Sequence, residues 1–261
     1  MKFPRERWET NVYETLLELI ESKPGLACFD FDNTIIKGDL GEEFMREVLS
    51  LGLPHLKSDF SIWFRDNKQA KEIFQSKKDL TQFVWNEYEW IFETQGLEAS
   101  YRWSAFLFSG FSKEEQIELT KIVWEKAKKE NRILVYPEMS SLIEYLKHKA
   151  WIVKIVTASP ETIIQTVSEE IGISQESVYG MQLETDGIYF LPKLIEPYPC
   201  REGKVNRIKK ELQRTPDLSL GDSINDEPML RSSTLGIFLN KNGNAQKISF
   251  HDSNVLIQNV F

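Results

Sequence analysis

Asp30-Phe31-Asp32-Asn33-Thr34 holds two carboxylates two residues apart, directly after the apolar run Leu26-Ala27-Cys28-Phe29. Carboxylates held close repel each other unless a proton or a cation intervenes. A hard divalent ion relieves that repulsion, and Mg2+ commonly joins one or two carboxylates to a substrate phosphate. Taken alone, the pair is better explained by a solvated turn, which Asp and Asn favour. Three more segments alter the balance. Gly221-Asp222-Ser223-Ile224-Asn225-Asp226 supplies two further carboxylates. Its spacing predicts Asp226 on the first turn of a helix, where it could also simply complement the helix dipole. Thr157 has a hydroxyl, and the amides of Ala158 and Ser159 at a helix start can bind an anion. Ser159 acting as N-cap fits the same residues. Lys204, after Glu202-Gly203, could bring positive charge to a phosphate.

The surrounding elements decide whether these residues can meet. Residues from Arg5 to Ser22 show helical apolar spacing at Trp8, Val12, Leu16, Leu17 and Ile20, ended by Pro24-Gly25. Leu26–Phe29 reads as a buried strand. Met139–His148 reads as a helix and Trp151–Val156 as a β-branched strand stopping at Thr157. Ser159 and Pro160 then suit the N-cap and first position of another helix. Val178–Phe190 suggests a hairpin turning at Asp186-Gly187. Lys204–Leu212 is helical, and Leu218–Leu220 is a short strand ending at Gly221-Asp222. Such alternation predicts an α/β fold, a three-layer Rossmann-like parallel sheet with helices on both faces. Ligands in these folds bind at the carboxyl ends of strands, where Asp30, Thr157 and Asp222 all fall. The stretch from about Gly41 to Glu130 has helical periodicity and no convincing strand. It predicts an all-helical cap inserted after the first strand, dividing the chain into a core of residues 1–41 and 131–261 and a cap of 42–130.

Composition narrows the partners. A formal net charge of -8 argues against nucleic acid, whose phosphates select basic surfaces. It leaves a phosphate substrate open, because a metal ion reverses the local field. Cys28 and Cys200 are too few for a disulfide framework and suit a reducing compartment. The charged stretch Met1–Trp8 is no signal peptide, and no run approaches the ~20 apolar residues of a membrane span. A cytoplasmic protein without a membrane partner is expected.

Asp-x-Asp-x-Thr, strand-Thr, Gly-Lys and Gly-Asp-Ser-x-x-Asp, in this order, resemble the four motifs of the haloacid dehalogenase superfamily. The match covers about Leu26–Gly41 and Tyr136–Leu230. The insertion after the first motif resembles the cap position of the phosphoserine phosphatase-like subgroup. Val156-Thr157-Ala158-Ser159-Pro160 also resembles that subgroup and the phosphocholine phosphatases within it. The resemblance implies that Asp30 is the nucleophile forming an aspartyl-phosphate, with Asp32 as general acid and base. It further implies Mg2+ held by Asp30, the backbone carbonyl of Asp32 and Asp222, with Asp226 acting nearby. Thr157, Ala158, Lys204 and Asn225 would hold the phosphoryl group. Asp at position 32 favours phosphomonoesters, since the superfamily's dehalogenases lack an acid there and its ATPases usually carry Thr.

The implied substrate is a small-molecule phosphomonoester. Asp39 lies where phosphoserine phosphatases carry a Glu that receives the substrate ammonium, and Glu42 and Glu43 follow closely. Asp39 as N-cap of a helix over Leu40–Leu51 explains it equally well. Fourteen Phe, Trp and Tyr residues lie between Phe60 and Phe111. Most must pack the cap interior, though a few could cage a quaternary ammonium. Ala158-Ser159 replaces the usual Gly-Gly of phosphoserine phosphatases, and Arg65 or Arg102 would have to meet a phosphoserine carboxylate. A phosphorylated amino alcohol such as phosphocholine is therefore the expectation. The alternatives are phosphoserine, a catalytically silent phosphometabolite-binding regulator, and an interaction module built on the aromatic cap.

Overall fold

The computed structural model describes residues 3–51, 60–76, 80–241, 250 and 254–261. In chain order the elements are α1 (Thr10–Ser22), β1 (Leu26–Phe29), β2 (Ile36–Lys37), α2 (Leu40–Ser50), α3 (Asn67–Gln75), α4 (Thr81–Gln95), α5 (Leu97–Ser104), α6 (Lys113–Lys129), β3 (Leu134–Val135) and α7 (Pro137–His148). They continue with β4 (Ile152–Pro160), α8 (Glu161–Ser168), β5 (Val178–Met181), β6 (Leu183–Thr185), β7 (Phe190–Leu194), α9 (Glu202–Leu212), β8 (Leu218–Gly221), α10 (Glu227–Ser232), β9 (Leu235–Asn240) and β10 (Val255–Asn259).

Strands β10-β9-β8-β1-β4-β5 form one sheet in that order, with every adjacent pair parallel. This is the α/β three-layer architecture expected. β1 is central, which explains its unbroken apolar run: successive side chains face opposite sides and both sides are covered. Ala27 and Phe29 bury with Val12, Leu16 and Ile20 of α1 and Leu142 and Leu146 of α7. Leu26 and Cys28 bury with Ile208 of α9 and Met229 of α10. The chain proceeds from β1 to β4 on one side and later returns to β8 on the other. The crevice at the carboxyl end of β1 is thus a topological switch point.

Between β2 and β3, which pair antiparallel, all described elements are helical. Phe64 anchors this segment, with ring centroids 5.0 to 6.1 Å from Phe74, Phe83, Trp103 and Phe106. Most of the aromatic run accordingly serves packing. The segment also touches the core away from the β2–β3 ribbon. The Gly110 amide donates to the Phe190 carbonyl at 2.8 Å, and the Phe190 amide to Phe111 at 2.9 Å.

Three local expectations are corrected. The first helix begins at Thr10, not Arg5. Arg7 has φ 67°, and Trp8 turns inward against Phe3 and Phe261, with centroids 5.5 and 4.9 Å away. The hairpin is β6–β7, Leu183 to Leu194, because Val178–Met181 joins the parallel sheet beside β4. Its turn does use Asp186-Gly187, where Asp186 Oδ1 accepts from the amides of Ile188 and Tyr189. Finally, the helix start is displaced by one residue, with Pro160 rather than Ser159 at the N-cap position. Pro160 pairs with Met181 at the end of β4, the Ser159 hydroxyl is committed elsewhere, and α8 begins at Glu161.

Candidate active site

Asp30 leaves β1 with its amide donating to the Leu220 carbonyl at 2.9 Å, so it emerges beside the end of β8 that carries Asp222. The chain then coils: the Phe31 carbonyl accepts from the amides of Thr34, Ile35 and Ile36, and Asn33 takes φ 55°. Asp32 is thereby held near Asp30 with both oxygens occupied. Its Oδ1 accepts from the Leu40 amide at 2.8 Å and its Oδ2 from the Ser159 hydroxyl at 2.6 Å. Thr157 is buried, and its Oγ1 accepts from the Ser159 amide at 3.1 Å.

Lys204, 2% exposed, lies between two carboxylates. Its Nζ donates to Asp30 Oδ1 at 2.7 Å and also to Asp226 Oδ1. Burial alone opposes its charge, but Asp226 and Asp30 outweigh it and hold the ammonium above its ordinary range. Two glycines make the closeness possible. A Cβ on Gly203 would lie 1.7 Å from the Tyr198 carbonyl, and one on Gly221 would lie 2.4 Å from Asp226 Cβ. Asp226 sits at the N-cap position of α10, without a side-chain bond to that helix, rather than on its first turn. Its Oδ2 accepts from the amides of Asp222 and Ser223 at 3.1 and 3.0 Å and from the Ser223 hydroxyl at 2.9 Å.

The donor set suits a hard divalent cation. One oxygen each of Asp30, Asp222 and Asp226 lie within 4.8 Å of one another. Asp226 is saturated by Lys204 and its three donors, so Asp30 and Asp222 keep the free lone pairs. Among the described residues the Asp222 carboxylate takes only a 3.5 Å hydrogen bond, from the Thr34 hydroxyl. The Asp32 carboxylate stands outside the cluster, its oxygens spent on Leu40 and Ser159. The charge excess is visible in the titration of the group. Burial pushes Asp30 up to about 7, with Lys204 pulling it back and Asp226 raising it. Burial also pushes Asp32 up to about 7, with Ser159 opposing and Asp30 adding to it. Asp222 is raised well above the carboxylate range by burial, then by Asp226 and Asp30.

These residues form the floor of a cavity of about 260 Å³. Asp30, Asp32, Thr157, Ala158, Lys204, Asp222 and Asn225 all line it; Asp226 lies behind. Asp39 and Glu42 line it too, with Trp85, Tyr88, Tyr101 and Phe108 of the helical segment. Asp39 does cap α2, accepting from the Glu42 amide at 2.8 Å, and lines the cavity as well. It is raised well above the carboxylate range by burial, then by Asp32 and Glu42. Glu43 is the residue the structure moves away. It pairs with Arg132, and Glu42, three residues after Asp39 and so on the same helix face, lines the cavity instead. Neither Arg65 nor Arg102 lines it; they pair with Glu87 and with Glu98 and Glu196. Sequence reasoning missed Ser159 as the partner of Asp32, and Tyr198 as a cavity wall. The run Glu196-Pro197-Tyr198-Pro199, an aromatic between two prolines, was the available signal.

Comparison with known proteins bears on this architecture. No curated protein matches the chain. Among solved structures, a conserved protein of unknown function from Anaerococcus prevotii is 20% identical, with a TM-score of 0.73 over 95% of this chain and 91% of the other. A protein of unknown function from Bordetella pertussis is 16% identical, with a TM-score of 0.65 over 90% and 99%. A phosphoserine phosphatase, solved as an analogue of its phospho-aspartyl intermediate, is 17% identical with a TM-score of 0.54 over 91% and 94%. These likenesses concern the fold. The model of the haloacid dehalogenase-like hydrolases matches residues 27–231, a span running from β1 through β8 into α10 and so containing every motif gathered around Lys204. The chain belongs to that hydrolase family.

Proposed function

We propose that the protein is a Mg2+-dependent phosphomonoesterase that works through an aspartyl-phosphate on Asp30 and acts on a small phosphorylated amino alcohol such as phosphocholine. The observation carrying this reading is the different treatment of two neighbouring carboxylates. Asp30 is paired with a buried ammonium, which favours the anionic nucleophile. Asp32 has no such cation among the described residues: burial raises it as it raises Asp30, but only the Leu40 amide and the Ser159 hydroxyl hold it, so it is the one left to carry a proton. In the first step an Asp30 oxygen bonds to phosphorus, the ester P–O bond breaks, and Asp32 gives its proton to the departing alkoxide. In the second, Asp32 takes a proton from water as the water oxygen bonds to phosphorus, and the Asp30–phosphorus bond breaks to release inorganic phosphate. Lys204, Asn225, Thr157 and the amide of Ala158 would hold the phosphoryl oxygens. When bound at Asp30 and Asp222, Mg2+ supplies the charge neutralisation that lets a carboxylate approach a phosphate dianion. Phosphate release from a panel of phosphorylated metabolites, with and without Mg2+, tests the reading; no release from any ester would leave a phosphate-binding regulator in its place.

The metal has a consequence for stability. Asp30 and Asp32 titrate near ~3.9 in an unfolded chain and about 7 in the folded one. Their contribution favours folding below about 4 and is lost as pH rises through about 7. The metal-free protein should therefore melt at lower temperature at pH 7.5 than at pH 5. Mg2+ should restore more at pH 7.5, since protons and metal compete for the same oxygens. At a hundredfold excess over Kd the gain is about 2.7 kcal/mol, or roughly 5–10 °C. Equal shifts at both pH values in a thermal melt would count against a carboxylate site.

Support for a cationic head group comes from the cavity lining, which combines Asp39 and Glu42 with Trp85, Tyr88 and Tyr101. A phosphoserine carboxylate would need a cation there. Among the described residues the lining offers only Lys204, already shared by Asp30 and Asp226. Asp39→Asn should lower kcat/KM for phosphocholine by roughly tenfold, as expected for one desolvated charge contact, while changing that for neutral aryl phosphates much less. Equal losses for both would remove Asp39 from recognition. We treat residues 42–130 as the cap over this site. Cys28 and Cys200 are free and buried, which suits the proposed cytoplasmic setting. Among the described residues no helix is long and apolar enough to cross a membrane.

A further inference from the structure

The loop from Glu196 to Arg201 joins β7 to α9 and runs from the helical segment to Lys204. One side chain of α5 grips it. Arg102 Nη1 donates to Glu196 Oε1 at 2.6 Å, and its guanidinium lies 5.2 Å from the centroid of the Tyr198 ring. Arg102 Nε is itself fixed by Glu98 Oε1 at 2.9 Å. The second oxygen of Glu196 turns back and accepts from the Tyr198 amide at 2.8 Å. A single carboxylate thus holds both the helical segment and the backbone of Tyr198. Tyr198 is 4% exposed and lines the cavity, and its hydroxyl has no hydrogen-bond partner among the described residues. Its carbonyl lies against Gly203, next to Lys204, so the position of the loop and that of the phosphate-binding end are linked.

We infer that Arg102 and Glu196 form a clamp that positions Tyr198 as the core-side wall of the leaving-group pocket, so that docking of the helical segment and shaping of that pocket are one event. Arg102 is a positioning residue here: it stays outside the cavity and acts through Glu196 and the Tyr198 ring. An exposed ion pair contributes little by itself. What sets this one apart is that Glu196 and the aromatic face are both tied to the same cavity residue. The inference rests on the phosphomonoesterase reading for its substrate but not for its geometry.

The test uses Arg102→Ala, Glu196→Ala and the double variant of the full chain with Mg2+. With phosphocholine and phosphoethanolamine, each single change should raise KM roughly five- to tenfold while kcat stays within about twofold, because an unordered wall must be ordered on binding. The double variant should be no worse than the poorer single, as for residues acting as a unit. KM values that stay at the wild-type level, or losses that multiply in the double variant, would overturn the clamp. A second measurement needs no turnover. Exchange of the Tyr198 amide with solvent should rise about tenfold in Arg102→Ala relative to amides of β1, and an unchanged rate would equally overturn it. If the wild type releases phosphate from neither ester, the phosphomonoesterase reading fails, while the exchange rate still decides the clamp.

Discussion

Asp30→Asn is expected to reduce Mg2+-dependent phosphate release by about 10⁴-fold or more, the scale seen when an enzyme loses its nucleophile. The amide has nearly the same shape but cannot form the acyl-phosphate. Lys204 keeps Asp226 as a partner, so the buried ammonium is not orphaned. Removing one of several crowded carboxylates also relieves repulsion in the metal-free protein. The variant should therefore melt within a few degrees of the wild type while losing activity. Turnover measured alongside a thermal melt checks both halves. Release at the wild-type rate by a folded variant would sink the covalent mechanism.

The second large effect belongs to Lys204. Met has a similar length and no charge, so Lys204→Met leaves Asp30 and Asp226 without their shared cation in a buried setting. Breaking a buried ion pair from one side costs about 3–5 kcal/mol, equivalent to roughly 6–20 °C in melting temperature for a chain of this size. The loss should shrink at acid pH, where protons can replace the missing charge, and in Mg2+. Activity should fall by on the order of 10³-fold, since a charge contact to the transferring phosphoryl group is lost as well. A variant as stable as the wild type near pH 7.5 without Mg2+ would show that Lys204 is not the neutralising group of the cluster.

The legible parts of this molecule are those governed by short-range rules. β1 could be read because a central strand covered on both faces needs no polar residue until it ends, and Asp30 marks that end. Asp222 follows the same logic after β8, whereas Thr157 does not end its strand, since β4 extends three residues further to Pro160. What escaped was set by partners distant in sequence. Ser159 looks like a helix cap because Ser before Pro normally is one. Its hydroxyl instead serves Asp32, 127 positions earlier, and β4 runs on through Pro160. Glu43 and Glu42 cannot be ranked before the rotation of α2 is known. That rotation follows from Asp39 capping its first turn, and the capping fixes which acid faces the cavity. The role of Tyr198 escaped for a similar reason, although the flanking prolines marked its loop. Its place depends on Arg102, 96 positions upstream by their numbers in the chain, crossing from a helix whose own periodicity says nothing about a core loop.

The backbone bonds between Gly110, Phe111 and Phe190 carry a lesson for anyone swapping parts among such enzymes. Replacing the helical segment without keeping Gly110 and Phe111 would leave the main-chain donor and acceptor at Phe190 open to another molecule. Chimeras should thus exchange helical segment and ribbon together, and those that take only the helices should self-associate before they fail to turn over substrate.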